Sequence, residues 1–271
     1  MYTLPQPNVA GVAVEGCPVV EVHDDSGDWK HLLEVLYDGT ILTEETIQFS
    51  LVAALIRLGR KYDFIKLLKA AVKRLTHDYP STLALIDARQ RADFSLNIAP
   101  YPGIHFDALS MAREHSIPSV LPIAYYWMIR AYPQTSWFDG LERPDGTSAH
   151  LAPGDLRVCL KAANKIFRTQ FKDGYSLGWM TAPNPSSCLF PTQCPARRAE
   201  MLQKCIAVDP LLSGAQLVVE SLSAAESWVK RCCTGCQPHL MQLMHAGRAR
   251  GWEELPAFFD LPPWADLKND L

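Results

Sequence analysis

The chain has 271 residues, 48% hydrophobic and 20% charged, which supplies apolar mass for one large or two modest domains and excludes global disorder. Its 26 basic and 29 acidic side chains give a net charge of −3, without the basic excess of a dedicated phosphate-backbone binder. Met1 to Gly11 has neither a basic start nor an apolar run, and the apolar stretch Leu51 to Leu58 is broken by Arg57 and too short to span a bilayer.

These features lead us to expect an intracellular protein of the cytoplasm or nucleus, without a membrane segment. The eight cysteines are then reduced, and each is a core thiol, a metal ligand or incidental.

In chain order, Pro5, Pro7 and Gly11 predict a loop-like start. Pro18 to Val22 is β-branched and predicts one short strand. Asp25 or Ser26 then caps a helix whose stripe is Trp29, Leu32, Leu33, Leu36 and Tyr37, and Gly39 stops it. A second helix is expected over about 46–60, with a wide apolar face. A third starts at Asp63 as its cap, with Phe64, Leu67, Leu68, Ala71, Val72 and Leu75 on one side. A fourth, short helix begins near Pro80 or Ser81.

The proline- and glycine-containing stretch 97–105 is the expected boundary. Beyond it the patterns predict helices over 106–115, 120–131, 153–171, 196–207, 213–231 and 238–248, with a turn at Asp145-Gly146 and an irregular stretch over 173–195. Trp252, Leu255, Phe258, Phe259, Leu261 and Trp264 make the tail too apolar to be solvated, so it is expected to pack back on the helices. The fold class expected is α+β, mostly α.

Several segments, taken in order, resemble one family. LPQP near the start is followed by EGCPVVEVHDDSGDWKHLLEVLYDG (Glu15 to Gly39) and SLVAALIRLGRKYDF (Ser50 to Phe64). Further on come Ala112 to His115, Leu151 to Cys159-Leu160, Cys233-Thr-Gly-Cys236, Trp252 to Pro256 and Leu261-Pro-Pro-Trp264. Together they resemble the BTB/POZ-domain proteins expanded in mushroom-forming fungi. The resemblance implies the C-terminal part of a BTB/POZ-like fold over 1–96, lacking the strands and helices that open a complete domain. An all-helical region with a cysteine-containing site then follows over 97–271. It also implies a protein partner, either a second copy of the chain or an adaptor target, and an interaction surface around Leu32, Leu36, Tyr37, Leu67 and Leu68.

Two cysteine pairs carry the sharpest chemistry. Cys188 and Cys194 lie in a proline-rich loop, and Cys233 and Cys236 have the spacing common in zinc knuckles. Zinc takes four such ligands tetrahedrally, and two pairs about forty residues apart suit a site that pins separate helices. Cys232 and His239 are spare ligands. Two other readings stand beside structural zinc: buried unpaired thiols, and a redox CxxC, which needs a βαβ setting that the pattern lacks.

No nucleophile elbow, HExxH, P-loop or dinucleotide fingerprint occurs, and His23-Asp24, His77-Asp78 and Glu114-His115 are sequence neighbours that do not face each other on a helix. Neither an enzyme nor a small-molecule substrate is expected. Arg57, Arg60, Lys61, Lys66, Lys69, Lys73 and Arg74 form a basic strip, which reads as a solvated helix face before it reads as a nucleic-acid surface. The function expected is a non-catalytic protein–protein interaction protein, an adaptor or transcription-associated factor. The alternatives are a nucleic-acid-associated regulator with a zinc-supported C-terminal region, and a truncated product without independent function.

Overall fold

A computed structural model describes residues 13–15, 17–89, 94–207 and 222–271. The chain is mostly helical, with two small two-stranded antiparallel sheets among these residues. Strand β1 (Ala13–Val14) pairs with β2 (Cys17–Pro18), and β3 (Leu141–Glu142) pairs with β4 (Ser148–Ala149). The expected strand over 18–22 is therefore displaced: only Pro18 is in a strand, and Val19, Val20 and Val22 stand exposed without ladder partners. Residues 1–12 lie outside the described residues, as does the 213–221 part of the helix expected over 213–231, whose remainder is helical over Leu222–Val229.

Helix α1 (Ser26–Tyr37) begins where Asp25 accepts a 3.0 Å hydrogen bond from the Asp28 amide, satisfying one donor of the first turn. Its buried face is Asp28, Leu32 and Val35, rotated from the expected stripe. Leu33, Leu36 and Tyr37 point outward, Tyr37 at 90% exposure. The rotation has a physical cause. Arg57 from α2 (Phe49–Lys61) grips Asp28 through two 2.5 Å hydrogen bonds, and a buried carboxylate needs such a partner.

Helix α2 packs against both α1 and α3 (Ile65–Asp78). Asp63 does not cap α3. It sits in a left-handed turn, and Phe64 takes the cap position without a side-chain hydrogen bond. Helix α4 (Leu83–Ala88) starts later than expected, with Thr82 as its cap. The carboxylate of Asp78, at the end of α3, accepts the amides of Asn97 and Ile98 at 2.9 and 2.8 Å. Ile98 in turn forms a parallel bridge with Ile47. Arg74 closes the same region by donating to the carbonyls of Leu42, Glu44, Glu45 and Asn97.

Helices α5 (Ile104–Glu114) and α6 (Leu121–Ala131) follow, and Pro122 sits harmlessly in the first turn of α6. Every residue of α6 from Leu121 to Ile129 is buried, as expected for a central helix. A short α7 (Gln134–Asp139) leads into the β3–β4 hairpin, where Asp145 and Gly146 make the turn. Helix α8 (Pro153–Thr169) lays the buried Asp155 against Tyr125 and the exposed Arg113 in a hydrogen-bonded cluster.

One apolar core runs through α1 to α3, α5, α6 and α8 and takes in the tail residues Trp252, Leu255, Phe258 and Phe259. Phe259 stacks on Tyr125 with centroids 5.0 Å apart. Each such ring withdrawn from water stabilises the fold by roughly 1.5–3 kcal/mol, which is why the tail folds back. The core includes residues on both sides of positions 97–105.

A second, smaller core gathers Leu177, Trp179, Met201, Val229, Leu240 and Met244 around buried cysteines. It is built from α9 (Gln193–Ala207), α10 (Leu222–Val229) and the first half of α11 (Gln237–Glu253). Helix α11 joins the two cores, carrying Leu240 and Met244 into the second and Trp252 into the first. Gly247 allows this, because a Cβ there would strike the backbone of Tyr175 and Ser176. Helix α12 (Leu255–Phe258) completes the tail. Among the described residues no helix is long and apolar enough to cross a membrane.

Candidate metal centre

Four cysteine sulfurs, from Cys188, Cys194, Cys233 and Cys236, lie within 4.8 Å of one another. They come from two separated segments, and local backbone geometry presents each. Cys188 follows a turn in which its amide donates to the Pro185 carbonyl at 3.0 Å. The Cys194 amide donates to the Phe190 carbonyl at 3.0 Å as the chain enters α9. On the other side, the Cys233 carbonyl accepts the amides of Cys236 and Gln237 at 2.9 and 3.1 Å, forming a tight knuckle that runs straight into α11.

Gly235 is what lets the two segments meet. An added Cβ would lie 2.9 Å from the Ser187 carbonyl carbon, with the carbonyl oxygen nearer still. The Ser187 hydroxyl donates to the Gly235 carbonyl at 2.6 Å, fastening one loop to the other.

The donor set is that of a structural zinc site. At a Zn–S distance of about 2.3 Å, a tetrahedron has sulfur–sulfur edges of about 3.8 Å, which the observed spread accommodates. Two backbone amides already point at sulfur: Leu189 N–H at Cys233 Sγ and Cys233 N–H at Cys194 Sγ, both at 3.4 Å. Such donors orient ligands and favour thiolate. Cys194 sits in the first turn of α9 and Cys236 immediately before α11, where the positive helix ends favour anionic sulfur.

The thiols differ in acidity. Burial opposes ionisation of Cys233, but the Leu189 amide and the Cys236 donors outweigh it and hold the thiol down at about 6. Burial pushes the Cys194 and Cys236 thiols up. A cation entering here displaces protons from the thiols it binds, so its affinity is expected to rise with pH.

Arg198, on α9, is a feature the sequence reading missed. Its side chain is 3% exposed, and its acceptors are neutral oxygens: the carbonyls of Trp179 and Ala182 at 3.0 and 2.5 Å and the Asn184 amide oxygen at 2.7 Å. Its Nε has no hydrogen-bond partner among the described residues. A buried guanidinium with no carboxylate partner among the described residues calls for a counter-charge. Four thiolates around one divalent cation would carry a net charge of −2, and Arg198 lies one helical turn along α9 from Cys194, which makes such a site a candidate counter-charge. No sequence signal separates this arginine from its exposed neighbour Arg197.

The spare ligands fall outside the set. Cys232 is buried beside the knuckle, and its carbonyl accepts Gln237 Nε2 at 2.9 Å, while His239 is part-exposed on α11. Cys159 is buried in the first core, and Cys205 is half-buried at the edge of the second.

The expected interaction residues disperse. Leu32 and Leu68 lie in the core, Leu67 packs against it, and Leu36 and Tyr37 face outward. The basic strip disperses as well. Arg57 serves Asp28, and Lys61 holds Asp24 at 2.6 Å. Arg60 donates to the carbonyls of His115 and Asp270 at 2.6 and 2.7 Å, and Arg74 caps loop carbonyls. Lys66, Lys69 and Lys73 stay exposed on the outer face of α3.

Comparison of the chain with protein-family models, curated proteins and solved structures returned no match.

Proposed function

We propose that this protein is a non-catalytic regulatory or binding protein whose C-terminal region is a helical module held together by structural zinc. The observation that carries this reading is the convergence of four cysteine sulfurs within 4.8 Å from the segment that enters α9 and the knuckle that opens α11. Four protein ligands close a zinc site and leave no position for a reacting water or substrate, which is the structural rather than the catalytic arrangement. The resemblance of its segments, in their order, to BTB/POZ proteins favours binding to another protein, and the outward-facing Leu36 and Tyr37 supply apolar surface for it.

The test is metal analysis of the reduced 271-residue chain. About one zinc per chain is expected, and Cys233→Ser or Cys236→Ser abolishes it. Chelation is expected to raise hydrogen exchange around Trp179, α9 and the start of α11 while the amides of α2 and α3 stay protected, because the two cores are separate clusters. A metal-free chain with the same protection throughout overturns the proposal.

A nucleic-acid-associated role is the second reading. It is favoured by Lys66, Lys69 and Lys73, which remain on one exposed helix face after the arginines are engaged. Salt-dependent binding of duplex DNA, weakened by neutralising all three lysines, supports it. No binding at low salt removes it.

A further inference from the structure

The four ligands are unequal in one respect that bears on regulation. Cys194, Cys233 and Cys236 are buried, whereas Cys188 is part-exposed. Cys188 also stands apart in its backbone. The other three lie in a helix or in the knuckle that opens one, while Cys188 is in the irregular stretch between Pro185 and Pro191. Its neighbours Leu189 and Phe190 are exposed at 61% and 48%, so little packing holds this strap down. Among the described residues it is fastened mainly by single hydrogen bonds: Ser187 to the Gly235 carbonyl, the Leu189 amide to Cys233 Sγ, the Asn184 side chain to the Pro191 carbonyl at 3.0 Å, and the Cys188 and Cys194 amides to the Pro185 and Phe190 carbonyls.

We propose that Cys188 is the point at which hydroperoxides oxidise this site, and that its oxidation to a disulfide with Cys194 expels the metal and frees the strap. This inference rests on the zinc reading above. The chemistry balances with hydrogen peroxide as the oxidant. The Cys188 thiolate attacks one peroxide oxygen, an S–O bond forms, the O–O bond breaks, and hydroxide leaves and takes a proton. The Cys194 thiolate then attacks the Cys188 sulfur. An S–S bond forms, the S–O bond breaks, and a second hydroxide leaves as water once protonated. Two thiolates lose two electrons in all, peroxide gains them, and the cation departs with only two cysteine ligands left.

Geometry favours this route. Nucleophilic attack requires access, and the only ligand that is not fully buried has it. The resolving thiol needs no domain motion, because all four sulfurs already lie within 4.8 Å. The strap is the one ligand-bearing segment outside a helix or helix-entry turn, so it can shift to disulfide distance without unwinding a helix. After release the two ligand-bearing segments are no longer tied through the metal, and the second core loosens around α9. The consequence is a module that is ordered under reducing conditions and opened by peroxide, with Leu189 and Phe190 released.

The experiment uses the zinc-loaded 271-residue chain, hydrogen peroxide at and below one equivalent, a chromogenic zinc chelator and differential alkylation read by peptide mass. Zinc release is expected to track the loss of alkylatable Cys188, with Cys233 and Cys236 still alkylated, and a thiol reductant with added zinc is expected to restore the site. Cys188→His keeps a four-ligand zinc set but removes the attacking thiolate, and it is expected to slow release at least tenfold. Peroxide-resistant zinc overturns the proposal, as does release that begins at Cys233 or Cys236, or equal rates in Cys188→His and the parent chain. If Cys188→His does not take zinc, the order of oxidation in the parent chain decides the matter. A reduced parent chain without zinc fails the site reading underneath, whereas a zinc-bound but peroxide-stable chain fails this inference alone.

Discussion

Gly235→Ala gives the most direct test of how the metal centre is assembled. The substitution leaves every ligand in place and changes only the approach of two backbones. The added Cβ would lie 2.9 Å from the Ser187 carbonyl carbon, while carbon atoms settle at about 3.5 Å or more, so the strap must retreat by at least about 0.6 Å. Ser187 is one residue from Cys188, and the clash is with backbone, which has no rotamer to yield. Metal–ligand distances tolerate only about 0.2 Å, so a shift three times larger takes Cys188 out of ideal coordination. The Ser187 hydroxyl bond to the Gly235 carbonyl is strained by the same movement. We expect zinc affinity to fall about 10- to 100-fold, comparable to losing a group that orients a ligand. The assay is competitive zinc titration against a chromogenic chelator under reducing conditions. Gly154→Ala in α8 is the control, since nothing lies within 4 Å of a Cβ there. Unchanged zinc affinity in Gly235→Ala refutes the claim that this close approach sets the geometry of the site.

Three further outcomes are expected. Arg198→Met should weaken zinc binding about tenfold while helix content by circular dichroism is kept, with Arg198→Lys intermediate; equal affinity in all three chains would remove the counter-charge argument. Asp78→Ala strands the buried amides of Asn97 and Ile98 and should cost about 2–4 kcal/mol in chemical denaturation, more than Asp78→Asn, which keeps one acceptor oxygen; equal losses would show that the carboxylate does not organise this junction. His105 is packed against Tyr79, Trp127 and Tyr132, and burial, helped by Arg89, lowers it from 6.5 to about 4. The unfolded chain therefore binds this proton first as pH falls. Stability is complete above pH 6.5 and declines between 6.5 and 4, by about 3 kcal/mol in all. His105→Gln should flatten that part of the pH–stability profile, and a profile as steep as the parent's would refute the assignment.

The sequence by itself determined the helical content and much of its placement. Asp25 as a cap, the wide apolar face of α2, Pro122 in a first turn and the turn at Asp145-Gly146 were all legible, because each depends on residues within a few positions. The four ligands Cys188, Cys194, Cys233 and Cys236 were legible as well, since two spaced pairs carry their own chemistry. The clustering of the apolar tail residues required that they be buried somewhere.

Only the tertiary structure decided the rest. The stripe of α1 gave Leu33, Leu36 and Tyr37 the same standing as Leu32, and it took Arg57, 29 residues away, to draw Asp28 inward and turn the helix. The basic strip looked like one surface until distant acceptors such as Asp24, Asp28 and Asp270 divided it. Arg197 and Arg198 are identical in type and adjacent, yet one is exposed and the other buried beside the cysteines. Gly235 is indistinguishable from any turn glycine until Ser187 is seen against it. In each case the deciding partner is remote in sequence, and local periodicity carries no record of which remote group a folded chain will bring near. The four candidate metal ligands could be read from their spacing, but their convergence depended on α9 and α11 meeting across a shared core.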